Sequence, residues 1–210
     1  KTAIMIHGTG VLDSVSVSTS YLGVEVDGSA TIDDLTCSAI DFECVLVSGS
    51  AVLDGLDADV VASGVVSSGD LDATNIEIEN AGTGITISGG SGDYSNINIV
   101  DANTAIHVRG VTTATVDDVS VSETNLALDA GDSDGFVLSN VSADISRAIR
   151  GEGLNTLTVK DSSFNGSRDG TSMVDVNSEG TFTMSNVALK NASTALDLRG
   201  SGTHILTSLD

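Results

Sequence analysis

Proline and tryptophan are missing from this chain of 210 residues, and aromatic side chains make up only 3% of it. A core with so few large rings must be filled by many layers of Val, Ile, Leu and Ala. Positive charge is also scarce. Eight Lys and Arg face 30 Asp and Glu, for a formal charge of −22. Such a surface repels phosphates and anionic headgroups, which excludes nucleic acid as a partner. No apolar run reaches the ~20 residues a helix needs to cross a bilayer, so no transmembrane segment is expected. Two cysteines, Cys37 and Cys44, are too few for a zinc site. A methionine start and a signal sequence are absent as well, and the chain reads as processed or as a piece of something longer.

What is abundant is small and polar: 23 Gly, with Ser, Thr, Asp and Asn filling most remaining positions. The 40% of hydrophobic residues suffices for one domain over 1–210 with a single continuous core. A short unit recurs in which an apolar residue, a spacer and a small polar residue precede two alternating apolar positions. Examples are Leu12 to Val17, Ile32 to Cys37, Tyr94 to Ile99, Val116 to Val121, Leu138 to Ala143 and Met184 to Leu189. The small position falls at Ser14, Asp34, Gly55, Asn75, Asn96, Asp118, Asn140, Asp161, Asn186 and Ser208, at spacings of 20 to 25 residues. A second marker keeps the same time: Gly8, Gly28, Gly49, Gly69, Gly89, Gly110, Gly131, Gly151, Gly180 and Gly200.

Both units alternate apolar and polar residues, so they are strands with one face inward; no period near 3.6 appears. The glycine is expected to end one strand where the backbone turns, and the small polar residue to hold a left-handed corner. One such unit cannot bury its apolar side chains alone, whereas stacking successive units makes the column continuous. The fold predicted is all-β, a right-handed parallel β-helix of about ten coils of ~21 residues. From Thr2 to Leu209 this pattern resembles the pectin-lyase-like superfamily. That resemblance implies a scaffold whose enzymes are mostly polysaccharide lyases and hydrolases, with carboxylates, sometimes calcium, and a basic side chain on one exposed sheet.

Those enzymes' motifs are not found. The Asp33-Asp34 and Asp117-Asp118 pairs sit at the recurring corner, where turn chemistry explains them. His107 and Arg109 point outward from one strand and are the alternative catalytic candidates, with Arg150 and Arg199 expected in the same column. No cofactor is expected apart from calcium, for which Asp129, Asp132 and Asp134 form a short acidic loop. Gly89 to Asp93 approaches a calcium-binding nonapeptide but occurs once. Cys37 and Cys44 are close enough in sequence for a disulfide across one corner. The coil between Asp161 and Gly180 is about five residues long in excess and is read as a bulging binding loop carrying Phe164, Asn165 and Arg168. Sequons at Asn140, Asn165 and Asn191 are candidate glycosylation sites.

The function expected is that of an extracellular or cell-surface structural or adhesive solenoid, not an enzyme. It would pair with copies of itself or with neighbouring β-helix segments, because no capping element closes either end and Thr2 and Thr194 are equivalent positions. The alternative is a polysaccharide lyase or hydrolase, or a carbohydrate-binding module with glycans as partners, working near His107, Arg109 and Phe164.

Overall fold

The computed structural model describes residues 1–59, 62–166 and 172–210. They form a parallel β-solenoid of about ten turns. The first four turns consist of β1 (Thr2–Ile6) and β2 (Thr9–Ser20), β3 (Leu22–Val26) and β4 (Ser29–Ile40), β5 (Glu43–Val47) and β6 (Ser50–Asp59), then β7 (Ser63–Ser67), which runs on into β8 (Asp70–Ile87). From there strands continue around the bends: β9 (Ser91–Arg109), β10 (Thr113–Gly131), β11 (Phe136–Gly166) and β12 (Ser172–Lys190), closing with β13 (Thr194–Arg199) and β14 (Thr203–Leu209). No helix occurs among the described residues, and so none that could cross a membrane.

Every neighbouring pair among the described residues is parallel, with register shifts in the β10·β11 pairing after Val121 and in the β11·β12 pairing around Leu154. Leu12 stacks on Ile32, Ile32 on Leu53 and Leu53 on Ala73, and the column goes on through Tyr94, Val116, Leu138, Val159 and Met184 to Leu206. A second inward column runs from Ile4 through Val24, Val45, Val65, Ile85, Ile106, Leu128, Ile149 and Val174 to Leu196. These columns meet in one core, and inner members such as Ile32, Leu53 and Val116 are fully buried.

The corners follow the repeat. All ten small-residue positions from Ser14 to Ser208 have φ between 51° and 80°. That is the left-handed region, which Gly, Asn and Asp enter at least cost. A second corner lies five residues further on, at Thr19, Ala39, Asn80, Asp101, Glu123 and Asn191, with φ between 52° and 56°. Several of its residues have no left-handed preference, so composition did not announce it.

The glycine marker falls in the bend at a strand end, as expected, at Gly8, Gly28, Gly49, Gly69, Gly89, Gly110 and Gly200, and Gly110 and Gly200 take φ of 63° and 97°; close stacking is a second cause. Gly28, Gly49 and Gly69 lack a positive φ, but a Cβ on each would stand 2.1, 2.1 and 1.9 Å from the carbonyl oxygen of the glycine one coil earlier. They are glycine because the stacked coils approach too closely there for any side chain. Gly131 and Gly151 leave that column and pair within strands, Gly131 with Arg109 and Glu152, and Gly151 with Ala130 and Val176.

Candidate functional site

The sheet containing β1, β3, β5 and β7 continues through the first part of each later coil and presents three outward columns. The middle column reads Met5, Glu25, Leu46, Val66, Thr86, His107, Asp129, Arg150, Asp175, Asp197. Its first four coils carry one charge; from His107 onward every position can carry one. Arg150 therefore stands in the His107 column and not beside Arg109 and Arg199, which share the next column with Gly131, Glu152 and Asn177.

Asp129 is the hub. Although it faces outward, it is only 6% exposed, because three basic side chains close over it. Arg150 donates two hydrogen bonds in a fork, Nε to Oδ1 at 3.0 Å and Nη2 to Oδ2 at 2.7 Å. His107 Nδ1 lies 3.3 Å from Oδ2 and Arg109 Nη2 lies 3.6 Å from Oδ1. Gly131 makes this possible, since a Cβ there would sit 1.5 Å from Arg109 Nη1. Two coils on, Arg199 donates to Asp175 and reaches Asp197 at 3.5 Å. The hydrogen bond to Asp175 and the charge of both carboxylates raise the Arg199 guanidinium above its ordinary value. Acids thus recur beside the basic residues as ion-pair partners, from the adjacent coil at Asp129 and Asp175 and from the same coil at Asp197. An open cleft of about 390 Å³ adjoins them, lined by Arg109, Asp132, Glu152, Asn177 and Glu179.

Such an arrangement fixes charges in place. Asp129 spends its oxygens on Arg150, His107 and Arg109, which leaves it poorly placed as a calcium ligand. Among the described residues no three His, Cys, Asp or Glu side chains converge as a metal site. Asp132 lines the cleft, and Asp134 donates its backbone N–H to Val111 O at 2.8 Å. Comparison with protein-family models, curated proteins and solved structures gives no match. The site is therefore read from its own geometry.

The other proposed sites are dispersed. Phe164 is wholly buried, stacked on Leu189 in an inward column, so it offers no ring to a ligand. Its position two residues beyond Ser162, in the alternation of the repeat, already pointed inward. Asn165 donates to Asp144 Oδ1 at 2.7 Å and accepts from Asn191 at 2.6 Å. Arg168 lies outside the described residues. Asn140 donates to Asp117 at 2.7 Å, so the three sequon amides belong to ladders along the rod. Cys37 and Cys44 form a buried disulfide with Cα atoms 5.9 Å apart.

Two features escaped the sequence reading. A trough of about 560 Å³ follows the first corner, where Asp34, Asn75 and Asn96 face Thr36, Asp57, Glu77 and Asn98 across the bend. Only the in-register stacking of single polar residues from successive repeats creates it. Tyr21 and Phe42, 45% and 43% exposed, stack at 4.2 Å between ring centroids on adjacent coils, whereas the other four aromatics are buried.

Proposed function

We propose that this chain is a structural β-solenoid of an extracellular or cell-surface assembly, whose end faces take further coils of the same kind. One observation carries the reading: the apolar columns run the whole length of the stack and remain uncovered at both end faces. Ile4, Ile6, Leu12 and Val15 are only partly buried on one face, while Leu206 and Leu209 are 38% and 36% exposed on the other. Exposed apolar edges of this kind bind another strand.

A copy added head to tail would continue each column like for like: Leu12 on Leu206, Val15 on Leu209, Ile4 on Leu196 and Ile6 on Leu198. Gly10 would fall on His204, a residue without a side chain on an imidazole. The coil that seats on each face can come from the same polypeptide or from another copy. Ion-paired outward charges then keep the flanks soluble.

The test is electron microscopy and sedimentation of the 210-residue chain, with Leu12→Asp as the altered form. End-to-end rods that lengthen with concentration, and that Leu12→Asp abolishes while its circular dichroism stays native, support the reading. Single rods of ~48 Å at every concentration contradict it. The polysaccharide-acting alternative rests on His107, Arg109 and the adjoining cleft, and turnover of a glycan that His107→Ala removes would replace the structural reading with that one.

A further inference from the structure

The outward sheet face that carries the ion-pair ladder also carries Glu43 and Arg147, charges of opposite sign that have no ion-pair partner among the described residues. Glu43 and Arg147 stand in one outward column, which runs Thr2, Leu22, Glu43, Ser63, Thr83, Thr104, Leu126, Arg147, Ser172, Thr194. Glu43 is in the third coil and Arg147 in the eighth, at equal distances from the middle of the rod. We infer that two copies of this chain pair side by side and antiparallel through this face, with Glu43 of each meeting Arg147 of the other.

The symmetry follows from the stacking. A two-fold axis along the strand direction, between the fifth and sixth coils, leaves each outward column on its own counterpart and reverses the coil order. It therefore forms the Glu43 to Arg147 contact twice, as an isologous interface requires. In the middle column the same operation lays Leu46 against the aliphatic stem of Arg150 and Val66 over the covered Asp129. Glu25 falls opposite Asp175, whose charge Arg199 already balances.

Charge distribution favours the antiparallel arrangement. Residues 1–105 hold 16 acids and one base, Lys1, whereas residues 106–210 hold 14 acids and seven bases. Four of the five arginines, Arg109, Arg147, Arg150 and Arg199, lie on this one face. A parallel pair would set acidic half against acidic half; the antiparallel pair sets each acidic half against the arginines. Ten coils at ~4.8 Å and about five residues of strand at ~3.3 Å make a face of ~800 Å², which is the area each partner commonly gives to a stable complex.

The test is sedimentation equilibrium with small-angle scattering in ~0.15 M salt, on the Leu12→Asp chain, in which axial stacking is blocked, and on Glu43→Arg, Arg147→Glu and the combined charge swap made in that background. The expected result is a dimer of unchanged rod length and doubled cross-section. Each single reversal should weaken it at least ~10-fold, and the swap should restore it to within ~3-fold. A chain that stays monomeric up to ~0.1 mM, equal affinity in all four proteins, or a dimer of doubled length overturns the inference. Doubled length would instead report axial stacking, so the two modes are told apart.

Discussion

A single added methyl group separates the two kinds of glycine in the repeat. Gly49→Ala would drive a Cβ to 2.1 Å from Gly28 O, and backbone cannot yield locally without parting two coils. It should cost about 2–4 kcal/mol in denaturant unfolding. Gly8 meets nothing within 4 Å, and Gly8→Ala should stay within about 0.5 kcal/mol of wild type. Tyr94 is the odd side chain of its column. Its hydroxyl is buried without a partner of adequate geometry, and burial pushes the phenol up to about 12. Because the folded pKa lies above the unfolded value of about 10, stability is full below pH 10 and falls as pH rises toward 12, by up to about 3 kcal/mol. Tyr94→Phe should remove that alkaline slope and leave neutral stability equal or about 1 kcal/mol higher, as thermal melts across the pH range would show. The sequence displayed Tyr94 as an inward member of the repeat. It could not display that the ring end would arrive near Ser67 of the preceding coil.

At the scale of one corner, the conformation was legible wherever Gly, Asn or Asp filled it. Asn96 at φ 53° donates to Asn75 Oδ1 at 2.5 Å, so this residue both enters the left-handed region and ties two coils together. Asn96→Gly should be tolerated, while Asn96→Val should lose about 2 kcal/mol; comparing the two by urea titration separates the backbone from the side chain. Asp33, next to the corner, shows the limit of such a ladder. Partial desolvation, then the carboxylates of Asp34, Asp54 and Asp13, raise its pKa. A carboxyl with a raised folded pKa opposes folding above that value and stops doing so as pH falls through it. Asp33→Asn should therefore raise the melting temperature at pH 7 and change it little near pH 3. The second corner was illegible because Thr19, Ala39 and Glu123 take their conformation from stacking on neighbouring coils, which overrides local preference. Likewise, the extra residues between coils eight and nine suggested a displayed Phe164, but the alternation of the repeat holds that ring inside.

For the whole molecule, the period of ~21 residues determined coil number and register, because one pattern repeated ten times leaves little choice of pairing. The ion-pair hub at Asp129 was hidden for the same reason that it exists. His107, Arg109, Asp129 and Arg150 become neighbours only when residues about one coil apart in sequence stack, and Gly131 comes beneath Arg109 and not beneath Gly110 although it keeps the glycine spacing. The columns that order the interior also reach the end faces, so the growth of the stack and its stability draw on the same contacts. Cryo-electron microscopy of the purified chain, with and without calcium, tests this most directly. The account predicts assemblies in which a ~4.8 Å axial repeat passes unbroken from one copy's Leu206 coil into the next copy's Leu12 coil. Separate rods with solvent at both end faces would contradict it.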